Sequence, residues 1–219
     1  MTATASEPTR VIGAVVPDPR HGGSVRLMVQ GRLLLTIPRE VADAERLVVG
    51  MPLAEPLYRR LCQAADEEAG YRTALRVLER RPFAARDLVR RLVLKGHPPS
   101  AAEAAVDRAR RAGLVDDERF ALHFVATRAA RGRGPLRLRR DLASLGVDRS
   151  VVDRALVETL GPEGEEGPSI EGLARRRLAQ LKGLPKPVQR RRVLAYLGRR
   201  GFVGRTAREA LEAVLAGKA

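Results

Sequence analysis

Asp116 and Asp117 stand side by side just ahead of an apolar stripe. Adjacent carboxylates can hold a divalent metal or share a catalytic proton. No histidine or further acid lies at ligand spacing from them, so the pair reads as the start of a helix. There an acid accepts free backbone N–H groups and meets the positive end of the helix dipole. His21, His97 and His123 are scattered. His97 follows a glycine and precedes two prolines, which places it in a loop. His123 shares a helical face with Phe120 and Phe124 and is expected to be buried or at the edge of a core. A zinc or catalytic histidine needs partners at set spacing. Cys62 is the only cysteine, which excludes an internal disulfide and a thiolate cage. There is no Gly-x-x-x-x-Gly-Lys phosphate loop and no nucleophile motif. The expectation is a protein that is not an enzyme, with no metal, cofactor or small-molecule substrate.

The arginines carry the substantive signal. The formal charge is +15 and unevenly spread. Residues 1–71 hold 8 basic and 9 acidic groups, and residues 72–160 hold 20 and 11. Residues 161–166 add three acids, while residues 167–219 hold 13 basic groups against 3 acidic. Such a field draws a polyanion, or a protein with an acidic face, by steering and counterion release. If Leu138, Leu142 and Leu145 form a buried stripe, Arg140 points away from it and Arg137 and Arg139 flank it. Arg131 and Arg133 extend the basic stretch upstream. Arg86 and Arg90 face outward in an earlier helix, and Arg191 does in a later one, near Arg190 and Arg192. Arg175, Arg176 and Arg177 form a further cluster. A lone arginine is ordinarily a solvated face, but acidic compensation nearly vanishes toward the C-terminus, and a basic binding surface is the better reading. Single-strand readers add stacking aromatics. Here Phe83, Phe120, Phe124, Tyr196 and Phe202 sit at helix starts or in apolar stripes and look like core.

The elements that must position these side chains repeat. Leu88, Leu92 and Gly96 return as Leu138, Leu142 and Gly146, and again as Val193, Leu197 and Gly201. The glycines are 50 and then 55 residues apart, about three helices per unit. Tandem modules of that size bury their apolar faces on one another and mostly build binding surfaces. Upstream, Val11–Val16, Ser24–Val29 and Arg32–Ile37 favour strands, with Gln30-Gly31 as a hairpin turn and a helix from Pro56 to cover the sheet. The reading is a mainly α chain of tandem three-helix repeats, elongated and solenoid-like, with a small β-containing head. Its parts are a loose tail at 1–9, the head at 10–70, repeats at 71–114 and 115–160, a Gly/Pro-rich acidic linker at 161–168 and a third repeat at 169–219. Ser100 is the expected cap of one helix, and Asp148 or Ser150 of another. No apolar run is long enough to span a bilayer and nothing resembles a secretion signal, so the expectation is a cytoplasmic protein without membrane contact.

The stretch Gly113-Leu114-Val115-Asp116-Asp117-Glu118-Arg119-Phe120-Ala121 resembles the Leu/Ile-Asp-Asp-x-Arg-Phe-Ala signature of the RecX regulatory proteins. Lys95-Gly96, and Gly134 followed by Leu138, Leu142 and Gly146-Val147, are similar to further blocks of that family. Gly96, Asp116, Asp117, Phe120 and Gly146 are the motif positions, all structural in character. Ala84 departs from the family's capping serine, so that helix start is expected to be weaker. Leu145 replaces a lysine. The resemblance implies a modulator that lies along the RecA–DNA filament, blocks its extension or promotes its disassembly, and lowers ATP hydrolysis and strand exchange. Its implied partners are the RecA filament and, weakly and without sequence preference, single- or double-stranded DNA. The alternative is a helix-turn-helix-like DNA-binding transcriptional regulator, because each repeat can imitate that motif.

Overall fold

The computed structural model describes residues 10–161 and 169–217, so the tail at 1–9 and all but the first residue of the 161–168 linker lie outside the described residues. The chain divides into two compact units. One takes the chain up to Arg81 together with Leu88–Leu114; the other takes Pro82–Asp87 and the chain from Val115 onward.

In the first unit, strands β1 (Ala14–Pro17), β2 (Ser24–Val29) and β3 (Arg32–Pro38) form an antiparallel sheet in the order β1-β2-β3. Gln30 and Gly31 both take positive φ, 49° and 74°, as a two-residue hairpin turn whose twist matches the strands requires. A short helix that the sequence pattern does not anticipate, α1 (Arg39–Ala44), follows β3. Helix α2 (Glu55–Leu78) then runs unbroken through residues 70 and 71. Its first half covers the sheet, burying Leu61 in one cluster with Ile12, Leu27 and Ile37. Its second half packs on α4 (Pro99–Arg111). Gly70 permits that approach, since a Cβ there would sit 3.3 Å from both the Ala101 carbonyl oxygen and Ala105 Cβ. Ser100 is not the cap of α4. The cap position is Pro98, because Pro99 pre-sets the first helical φ and starts the helix before the serine.

Two carboxylates join the sheet to the helices. Asp18 and Glu68 are each only 4% exposed. Asp18 accepts from the Arg20 backbone N–H at 3.1 Å and pairs with Arg26 at 3.0 Å and Arg72 at 2.9 Å. Glu68 accepts from the Ser24 hydroxyl at 2.6 Å and pairs with Arg72 at 3.0 Å and Arg108 at 2.8 Å. The Arg20 N–H, helped by Arg26 and Arg72, outweighs burial and holds Asp18 below the usual carboxylate range. Burial alone would push Glu68 up; Ser24, Arg108 and Arg72 reverse that and hold it down. With both folded values depressed, the cluster stabilises the fold above the ordinary carboxylate range, and that contribution is lost as pH falls through the lowered values.

Helix α3 (Ala85–Leu94) begins with residues of the second unit. That unit goes on with α5 (Asp117–Ala129), α6 (Pro135–Ser144) and α7 (Arg149–Leu160), whose core holds Phe120, Phe124, Leu138, Leu142, Val152 and Leu156. Helices α8 (Ile170–Ala179), α9 (Lys186–Arg200) and α10 (Gly204–Leu215) bury Leu173, Val193, Leu197 and Leu211 in a second cluster. His123 is exposed, contrary to expectation. The buried stripe of α5 follows Phe120, Ala121, Phe124 and Val125, and His123 falls outside it. Among the described residues no helix is long and apolar enough to cross a membrane, and no cluster of His, Cys, Asp or Glu is placed to hold a metal ion.

The signature pair caps two different helices. Asp116 caps its own, accepting from Glu118 N at 2.9 Å and Arg119 N at 3.0 Å. Asp117 reaches back to the start of α3 and accepts from Ala85 N at 2.8 Å. The cap that Ala84 cannot supply therefore arrives from another helix. Asp117→Ala is expected to cost about 1 kcal/mol in chemical denaturation, with Asp117→Asn, which keeps an acceptor oxygen, recovering most of it. Equal losses in the two variants would assign the effect to charge rather than to the hydrogen bond.

Candidate functional site

The start of α6 and the end of α9 meet through backbone. Gly134 N donates to Arg200 O at 2.7 Å, and Leu136 N to Gly201 O at 3.3 Å. This sets the partly negative C-terminal end of α9 against the partly positive N-terminal end of α6. Two glycines make the approach possible. A Cβ on Gly134 would fall 2.7 Å from the Gly201 carbonyl carbon, and one on Gly201 would fall 2.4 Å from Arg137 N. Arg200 secures the junction, its Nη1 donating at 3.1 Å to the carbonyls of both Arg131 and Gly132 at the end of α5.

The junction shapes a groove of about 1070 Å³ lined by six arginines, Arg131, Arg133, Arg137, Arg140, Arg199 and Arg200, and by no acidic side chain. Ala195 and Gly198 of α9 and Gly201 just after it form part of the lining. The cations differ in how far they are already engaged. Arg133 and Arg137 share Asp141, at 2.5 and 3.0 Å. Arg131, Arg140 and Arg199 have no carboxylate partner among the described residues, and all three are exposed. A smaller cleft of about 310 Å³ shares Arg131 and Arg200 and adds Arg176, Arg177 and Tyr196. Tyr196 is only half buried, with the Arg200 guanidinium 4.9 Å and that of Arg177 5.7 Å from its ring centre, so it is not the simple core residue its spacing suggests.

The other sequence-selected arginines lie elsewhere. Arg139 is held by Asp153 at 2.8 Å, Arg190 pairs with Glu212, and Arg86 lies 4.0 Å from Asp148. The Arg86 stem also packs against Gly146. Arg90 and Arg175 are exposed but line neither cavity. Arg191 and Arg192 are exposed toward the middle of α9, about 10–12 Å along the helix from Arg199 at 1.5 Å per residue. The groove thus gathers four of the thirteen arginines that the sequence marks and adds Arg199 and Arg200, and the smaller cleft joins Arg176 and Arg177 to Arg131 and Arg200. The signal for Arg199 and Arg200 was present in their place directly before the third repeat glycine, but only the docking of Gly201 gives them a common ligand space with α6. A concave, guanidinium-lined surface without acids suits a polyanion by charge and by bidentate hydrogen bonding.

Residues 116–156 match the family description RecX, second three-helix domain. The chain is 38% identical over 144 residues to the Regulatory protein RecX of Xanthomonas axonopodis pv. citri (strain 306), a match covering 66% of this chain and 86% of that protein. A crystal structure of regulatory protein RecX superposes with a TM-score of 0.74 at 20% identity, covering 94% of this chain and 99% of the other. The RecX of Lactobacillus salivarius gives a TM-score of 0.58 at 17% identity, over 69% and 97%. At those identities the two structures show a shared fold.

Proposed function

This chain belongs to the RecX family of regulatory proteins, and from that premise we propose that it is a negative regulator of the RecA recombinase. It binds the RecA–DNA filament, blocks its extension or promotes its disassembly, and so lowers RecA's ATP hydrolysis and strand exchange. The observation that carries this reading is the groove between α6 and α9, where Arg131, Arg140 and Arg199 face solvent without a carboxylate partner among the described residues. Cations held that way attract an acidic protein surface or the phosphates of filament-bound DNA. Tandem helical modules on a repeating lattice also gain from linkage, since each weak contact raises the effective concentration of the next. Naked DNA is bound weakly and without sequence preference, with affinity falling steeply in moderate salt. The transcriptional-regulator alternative has no relative among these matches to favour it.

The test is the single-strand-dependent ATPase rate of RecA from the same organism with this protein titrated in. Inhibition at well below one molecule per RecA is expected, and points to blocked end growth. An unchanged rate at excess, with the protein folded by circular dichroism, would overturn the proposal.

A further inference from the structure

The first unit holds a second cavity, of about 900 Å³, that the regulatory reading does not use. It is walled by the β1–β2 loop, β2, β3, α2, α4 and the loop after α3, and its lining includes five arginines and two histidines against three carboxylates. Asp18 and Glu68 serve the architecture of the wall, pinning Arg26, Arg72 and Arg108 and with them the donors these arginines present. A guanidinium has five N–H donors, and two buried acids cannot satisfy three of them. Arg20 and Arg76 complete the set. Both are exposed and neither side chain has a carboxylate partner among the described residues; Arg76 donates to the Thr73 hydroxyl at 3.2 Å. His97 Nε2 lies 3.0 Å from the same hydroxyl oxygen, and His21 lines the cavity from the β1–β2 loop. Two histidines 76 residues apart in sequence thus share one concave space.

We propose that this cavity binds a phosphate monoester. Donors arriving from a loop, a strand and a long helix suit a tetrahedral oxyanion with several acceptor oxygens better than a flat carboxylate. Two charges on that group match the cationic surplus of the lining. Leu33, Leu75 and Tyr71, in the same wall, provide apolar surface for the organic part. The volume lies within the usual range for a small-ligand site, roughly 300–1,000 Å³. The buried acids lower the ordering cost of binding at Arg26, Arg72 and Arg108, whose guanidiniums are already fixed, while Arg20 and Arg76 close on the ligand from the exposed side. The chemistry is shared by a free nucleotide and by the 5′-phosphate of a nucleic-acid end, and the two sources differ in reach rather than in the group recognised.

The experiment is isothermal titration of the full chain with AMP, with a 5′-phosphorylated oligonucleotide and with its 5′-hydroxyl counterpart. Saturable binding of AMP is expected, at least tenfold weaker in Arg20→Ala and in Arg76→Ala and unchanged in a variant reversed at Arg140 and Arg199. The side chains of Arg20 and Arg76 lie outside the Asp18–Glu68 cluster, and alanine at 20 keeps the backbone N–H that Asp18 accepts, so the fold survives their loss; an unchanged melting temperature without ligand checks that. A phosphorylated strand that binds tighter than its hydroxyl twin, by a margin Arg76→Ala erases, assigns the site to strand ends. Equal strands alongside AMP binding assign it to free nucleotides. Heats that never saturate with AMP or with the phosphorylated strand at millimolar concentration, or binding abolished by the groove variant and untouched by Arg20→Ala and Arg76→Ala, would overturn the proposal.

Discussion

Reversing the charge at Arg140 and Arg199 together is expected to raise the half-inhibitory concentration against RecA by about tenfold or more, equivalent to about 1.4 kcal/mol of lost binding. Both guanidiniums line the same groove, both are exposed, and neither has a carboxylate partner among the described residues. Their reversal therefore breaks no internal ion pair, and the helical circular dichroism should be unchanged. If the ligand is a phosphate backbone, the slope of log affinity against log salt should also fall by about one for each contact removed. The control carries the same charge change outside the groove, with Arg175→Glu and Arg191→Glu combined. Equal loss in the two doubles would place recognition in total charge and remove the groove from the mechanism. Arg139 and Arg190 are unsuitable controls, because Asp153 and Glu212 already hold them and reversal would oppose two acids.

That contrast shows what periodicity can and cannot assign. The hairpin at Gln30-Gly31, strands β2 and β3 and the buried pairs Leu88/Leu92, Leu138/Leu142 and Val193/Leu197 were legible because each depends on local spacing or on one residue's φ, whereas β1 begins at Ala14 rather than Val11, which bridges Pro52 instead. The outward faces of the repeat helices were legible for the same reason: residues opposite a buried stripe reach solvent. Which outward charge stays available depends instead on what the neighbouring helix brings. Arg139 meets an acid 14 residues on and Arg190 one 22 residues on, and no single-helix pattern contains either pairing. Arg199 and Arg200 look like ordinary basic residues at a helix C-terminus until Gly201 docks on α6. The second acid of the signature shows the same limit, since its helix-start reading was sound while the helix it caps, α3, lies 32 residues upstream. Ser100 and His123 fail for local reasons, a proline that starts the helix early and a stripe one position off.

Gly201→Ala is expected to destabilise the second unit by about 2–4 kcal/mol, while Gly96→Ala, at the matching place in the first repeat, costs about 1 kcal/mol. Both glycines take left-handed φ, 96° and 93°, so the intrinsic penalty of adding a Cβ is the same. Their surroundings differ. Nothing lies within 4 Å of a Cβ built on Gly96, whereas on Gly201 it would meet Arg137 N at 2.4 Å, Arg137 Cβ at 2.5 Å and the Gly134 carbonyl oxygen at 2.9 Å. Two of those atoms are backbone and the third is fixed to it, so no rotamer relieves the contact. The α9 terminus must retreat, and the Gly134-to-Arg200 and Leu136-to-Gly201 hydrogen bonds go with it. Urea denaturation of both variants isolates the docking contribution as their difference; equal costs would mean that the ends of α9 and α6 do not meet this closely in solution. The same variant separates geometry from charge in the function. Gly201→Ala keeps every arginine of the groove and changes only how α9 presents Arg199 and Arg200 beside α6. Weakened inhibition of RecA by folded Gly201→Ala protein would therefore belong to the shape of the groove, and undiminished inhibition would assign binding to the arginines of α6 and its preceding loop alone.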